Sequence, residues 1–135
     1  MQFHQSYLLW QLAEEAAEVI TALMTNESLI NEATDFVAVV QMCQEAGILD
    51  TLPLETQNNH ILHSLALTIQ RASKAAHFGM IEIEPGQAYN NRERLTTAAT
   101  DTYKQILIYA DQQLIGAKRA KVQKYMRYAQ KIAEQ

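Results

Sequence analysis

The sequence predicts an all-α protein, an antiparallel four-helix bundle with an additional C-terminal helix, on two observations. Apolar residues recur three and four apart over long stretches, as in Leu8, Leu12, Val19 and Leu23, which is the period of a helix with one buried face. The helix breakers are few, four glycines and two prolines, and they fall between those stretches. With 135 residues, 48% of them hydrophobic, the chain has material for one domain around one core.

Each element follows from its local chemistry. The first helix is expected from about His4 to Met24, followed by the turn Thr25-Asn26-Glu27-Ser28, in which the Ser28 hydroxyl is placed to cap the next helix. The second helix then occupies roughly 29 to 46, and Gly47 is its natural stop. Residues 1–49 thus make one hairpin. Ile48 to Gln57, with Pro53, reads as a connecting loop. A third helix runs from about Asn59 to Phe78 and ends at Gly79. Met80 to Asn90 is an irregular excursion, in which Ile81-Glu82-Ile83-Glu84 alternates like a strand but has no partner. The fourth helix is expected from Asn91 to Ile115, before Gly116, so that residues 58–116 form a second hairpin. A last helix, Ala117 to about Ala133 within residues 117–135, carries Lys118, Arg119, Lys121, Lys124, Arg127 and Lys131. Such a run is ordinarily a solvated face, and attraction for phosphates is its other reading.

Charge and composition narrow the function. A formal charge of −4 argues against a general nucleic-acid binder, whose affinity rests on neutralising phosphates. The single cysteine, Cys43, lies in an apolar run and reads as a small buried hydrophobe rather than a nucleophile. No apolar run approaches the length of about 18 residues that a membrane span needs, and no signal peptide is evident, so no membrane association is expected and the cytoplasm is the expected location.

Two acidic clusters stand inside otherwise core-forming segments: Glu14, Glu15 and Glu18 in the first helix, and Glu32 and Asp35 in the second. Residues three apart share a helix face, so Glu15 with Glu18 and Glu32 with Asp35 each form a two-carboxylate claw. At about 100° per residue, Glu15 lies roughly 60° from Leu12 and Glu18 roughly 120°, beside the apolar stripe, whereas Glu14 lies roughly 160° away. Phe36, Val37, Ala38, Val39, Val40, Met42 and Cys43 leave the second helix little polar face, which encloses Asp35. Four carboxylates brought together repel unless a cation neutralises them, and oxygen-only ligands suit Mg2+, or Mn2+ in its place. Glutamate also favours exposed helix faces, so spacing alone leaves a metal site and a solvated acidic face both open.

The text LAEEAAEVITAL followed by NEATDFVAVVQM resembles the all-α nucleoside triphosphate pyrophosphohydrolases of the MazG type, whose signature is ExxE, a gap and ExxD. Here those positions are Glu15, Glu18, Glu32 and Asp35. The resemblance covers residues 8 to 49. It implies hairpins paired into a MazG-like four-helix bundle and Mg2+-dependent cleavage of a nucleoside triphosphate to the monophosphate and pyrophosphate, with those four residues as metal ligands; Glu14 or Glu15 is the candidate acceptor of the water's proton, and the apolar content and the fifth helix favour a homodimer. SKAAHFG (residues 73–79) and NRERL (residues 91–95) are similar to the segment that lies between the two acidic helices in phage and bacterial MazG-like proteins. Laid on that pattern, the acidic positions of the second hairpin read His63, Ser64, Leu67, Ala98 and Asp101, as in a degenerate copy of the first.

A triphosphate brings roughly four negative charges to a site rich in carboxylates, so cationic side chains have to approach it. Arg71 and Lys74, one turn apart, and Asn91 and Arg92, at a helix start whose amides favour anions, are the candidate phosphate contacts; the resemblance implies Lys74, Asn91 and Arg92. Trp10 reads as core or interface, one turn before Glu14. A di-iron carboxylate bundle is disfavoured because no Glu-x-x-His spacing occurs. A dUTPase-like or phosphoribosyl-ATP pyrophosphatase-like activity remains open, as does a catalytically inactive nucleotide-binding or regulatory oligomer.

Overall fold

The computed structural model describes residues 2–51 and 59–135, and all the regular structure among them is helical. The helices are α1 (Phe3–Thr25), α2 (Leu29–Glu45), α3 (Ile61–Phe78), α4 (Asn91–Ile106) and α5 (Ile115–Ala133), with a 3₁₀ turn at Leu107–Tyr109. Helix α1 packs on α2 and α3, α3 packs on α4, and α5 lies across α2. Most of the expected loop Ile48 to Gln57, Pro53 included, lies outside the described residues.

The α1–α2 hairpin forms because the chain can reverse tightly after α1. Asn26 closes α1 in the left-handed conformation, φ 58°, which asparagine tolerates better than most side chains. Ser28 stands at the N-cap of α2 but is itself left-handed, φ 59°, and its side chain makes no capping bond, contrary to the expectation from sequence. The apolar stripes then close on each other. Leu9, Leu12, Val19, Phe36, Val37 and Leu65 are fully enclosed, and each such side chain contributes about 1.5–3 kcal/mol on burial. Cys43 belongs to this core; its thiol donates to the Leu8 carbonyl at 3.9 Å, and burial pushes it up to about 12.

Helix α3 starts at Ile61, where the His60 ring accepts from the Leu62 amide at 3.2 Å. It ends at Gly79, whose φ of 91° explains why glycine serves there. The segment 80–90 is not a strand. Instead it folds back on the start of α4, so that the Glu82 carbonyl accepts from the Asn91 amide and the Met80 carbonyl from the Arg92 amide, both at 2.9 Å. Asn90 and Glu93 complete a reciprocal capping box.

The fourth helix is shorter than its composition suggests: it ends at Ile106 rather than Ile115. Asp111 is the cause. Its side chain accepts from the Gln113 amide at 3.0 Å, and its own amide donates at 2.9 Å to the Thr34 hydroxyl of α2, so a local turn tied to another helix outcompetes helix continuation. Gly116, expected as a break, falls in the first turn of α5, where a glycine costs little. No helix among the described residues is long and apolar enough to cross a membrane.

Candidate metal centre

The hairpin brings the two claws face to face. One carboxylate oxygen from each of Glu15, Glu18, Glu32 and Asp35 lies within 4.8 Å of the others. Glu15 is 7% exposed, held by its place beside Leu12 and Val19 on the inward face of α1. Its Oε1 accepts from Gln11 Nε2 at 2.7 Å, one turn earlier on the same helix. Its Oε2 and the Oε2 of Glu32 are buried and have no hydrogen-bond partner among the described residues. With no donor from outside the quartet, these two buried oxygens are costly when the carboxylates are charged and natural in a cation site.

Electrostatics give the same picture. Burial, followed by the charges of Glu18 and Asp35, pushes the Glu15 carboxyl up to about 8. Burial and then Glu18 push Glu32 up to about 7, with Asp35 adding to the rise and Lys118 opposing it. The metal-free quartet thus holds protons that a divalent ion would displace. An all-oxygen set at this spacing fits a hard cation such as magnesium or manganese.

Of the two residues considered as proton acceptor, Glu15 is in the quartet, whereas Glu14 is exposed and outside it. The four phosphate candidates each contact protein groups. Lys74 Nζ lies 3.4 Å and Arg71 Nη1 3.8 Å from Glu84 Oε1, and Arg94 joins the same carboxylate at 3.0 Å through Oε2. Burial and the neighbouring Arg94 lower the Arg71 guanidinium, while Arg94 and Lys74 hold Glu84 below the usual carboxylate range. Arg92 pairs with Asp50 at 2.7 Å. Asn91 is buried, its side-chain amide donating to the Gly79 carbonyl at 2.8 Å. The amides expected to favour an anion at the start of α4 are already taken, by the Met80 and Glu82 carbonyls and by the Asn90 cap. Trp10 is 46% exposed rather than core, its ring edge-on to His77 with centroids 5.5 Å apart.

The cation that does reach the quartet comes from α5. Lys118 Nζ is 3.1 Å from Asp35 Oδ1 and donates to Asn31 Oδ1 at 2.6 Å. Sequence reasoning placed Lys118 in a basic run without distinguishing it from its neighbours. Only the packing of α5 on α2 singles it out.

In the second hairpin the positions aligned with Glu15 and Asp35 are Ser64 and Asp101. Both are buried, and the Ser64 hydroxyl donates to Asp101 Oδ2 at 2.5 Å. Beside this contact, the hydroxyls of Thr68, one turn after Ser64 on α3, and of Thr102, the residue after Asp101 on α4, are 3.1 Å apart.

No family model, curated protein or solved structure matches this chain.

Proposed function

We propose that the chain is a divalent-metal-dependent nucleoside triphosphate pyrophosphohydrolase of the MazG-like all-α type, converting a (deoxy)nucleoside triphosphate and water to the monophosphate and pyrophosphate. The observation that carries the reading is the convergence of the ExxE and ExxD carboxylates, two of whose buried oxygens are unpartnered among the described residues. Glu15, Glu18, Glu32 and Asp35 would hold magnesium, or manganese in its place. When bound, the ion supplies charge neutralisation and Lewis acidity toward a phosphate oxygen.

The protein's own groups do the rest. Gln11 holds Glu15 through Oε1 and leaves Oε2 without a hydrogen-bond partner among the described residues. A carboxylate held in this way is suited to take the proton of the attacking water, and the exposed Glu14 next to it is the other acceptor. The contact between Ser64 and Asp101 supports reading the second hairpin as a degenerate copy of the first, in which a hydroxyl stands where the first has a carboxylate. In this reading α1–α4 form the bundle and α5 is the addition. The exposed Tyr125, Tyr128 and Ile132 of α5 support a homodimer, which sedimentation of the purified chain would test.

One observation favours a second reading, a catalytically inactive regulatory oligomer: the cations nearest in type to phosphate ligands are held by Glu84 and Asp50. Incubation with a panel of nucleoside triphosphates, with magnesium or with chelator, decides between them. Pyrophosphate release that requires magnesium supports the hydrolase. Orthophosphate release, activity indifferent to chelator, or binding without turnover contradicts it.

A further inference from the structure

Helix α5 is fastened across α2 by two adjacent cations that reach in opposite directions. Lys118 contacts Asn31 and Asp35, an amide and a carboxylate one turn apart; Arg119 contacts Gln41 and Glu45, a second such pair. The two fastenings differ in setting. Glu45 is 63% exposed at its side chain, so the Arg119 pair is a surface contact. Lys118 and Asp35 are 18% and 23% exposed, and Asp35 is a member of the quartet.

An anchor for α5 would need no ammonium in that place, because Arg119 and the buried Ile115 already hold the helix. The Lys118 ammonium donates one hydrogen bond, to Asn31, and adds an ion pair with Asp35 at 3.1 Å. A divalent ion must therefore compete with Lys118 for Asp35. Once displaced, the ammonium stands at the rim of a site into which a polyanion would be drawn, on a flexible four-carbon stem.

We infer that Lys118 is the resident counter-cation of the carboxylate quartet, giving up Asp35 to the divalent ion and then contacting the phosphate chain that binds with it. The inference rests on the metal-site reading above and assigns to α5 a part in substrate recognition. It makes Lys118 a group that opposes the metal alone but favours the metal together with a diphosphate. Those opposite signs distinguish it from a structural fastening, which would move both affinities together or neither.

The test is calorimetric titration of the full chain, first with magnesium chloride alone and then with inorganic pyrophosphate at saturating magnesium. The wild type, Lys118→Met and Arg119→Met are compared, with helicity checked by circular dichroism. Lys118→Met is expected to bind magnesium about tenfold more tightly, having lost a competing charge, and pyrophosphate about tenfold more weakly. Arg119→Met, which loosens the same helix at its exposed contact, is expected to change either affinity by less than about twofold. Should Lys118→Met not fold, Lys118→Gln carries the same two expectations. Equal affinities in wild type and Lys118 variants, changes of the same sign in both titrations, or an Arg119→Met profile matching that of Lys118→Met would overturn the role of Lys118. A wild type that binds no magnesium would overturn the metal reading, and this inference with it.

Discussion

Replacing Glu15 with glutamine should stabilise the metal-free protein and at the same time abolish its response to divalent ions. Glutamine keeps the shape of the side chain and an oxygen to accept from Gln11, but carries no charge. The Glu15 carboxyl is pushed up to about 8 by burial and by Glu18 and Asp35, whereas in the unfolded chain it titrates near 4.5. At pH 7.5 the native state therefore holds a proton that the unfolded state has lost across about three pH units, equivalent to about 4 kcal/mol at most. Relaxation of the site and water at its open side reduce this to about 2 kcal/mol. For a chain of 135 residues the unfolding entropy is about 0.28 kcal/mol/K, so Glu15→Gln should melt about 7 °C above the wild type in chelator.

The difference disappears where the charge does not form. Because the folded value is raised, the contribution of the Glu15 carboxyl to stability is fully present below pH 4.5 and is lost as pH rises through about 8, so the advantage of the variant should vanish near pH 4 and be greatest above pH 8. With magnesium at 100 times its dissociation constant the order reverses: the wild type gains about 2.7 kcal/mol and the variant nothing. Thermal melts across pH 4–9, with chelator and with magnesium, measure all of this. A variant less stable than wild type at pH 8 in chelator, or one that keeps the magnesium shift, would refute the reasoning.

Three further outcomes are expected. Glu32→Ala and Asp35→Ala should each lower magnesium-dependent pyrophosphate release at least about 100-fold while leaving far-ultraviolet circular dichroism unchanged, because each removes a ligand from the quartet and no apolar core contact; near-normal turnover in either would place the metal elsewhere. Asp101→Asn should leave magnesium affinity within about twofold of wild type where Asp35→Asn weakens it at least about tenfold, since Asp101 is bonded to Ser64 in the other hairpin; calorimetric titration compares them. Asn90→Ala should cost about 1 kcal/mol by removing half of the capping box of α4, a loss of about 3–4 °C in melting temperature with no change in metal affinity.

The first hairpin was readable because its information is local. The helical spacing of Glu15, Glu18, Glu32 and Asp35 and the turn before Leu29 all act within a few residues, and the observed bounds of α1 and α2 fall within about one residue of those expected. What could not be read depends on contacts between distant segments. The end of α4 is set by the Thr34 hydroxyl capturing the amide of Asp111, a choice that helix propensity does not register. Glu84, in a segment that alternates like a strand, gathers Arg71, Lys74 and Arg94 only because residues 80–90 fold back onto α4. The amides of α4 look free in the sequence for the same reason. Lys118 is one of six cations in its helix, and its distinction from Lys121 or Lys124 is its contact with Asn31 and Asp35 where α5 packs on α2.

The central claim, that the quartet is a divalent-metal site, is tested most directly by a crystal grown with manganese and examined by anomalous scattering. The expected result is a peak between α1 and α2 with oxygens of Glu15, Glu18, Glu32 and Asp35 about 2.1 Å away. A lattice with manganese bound elsewhere, or with the four carboxylates unligated at saturating manganese, would contradict it.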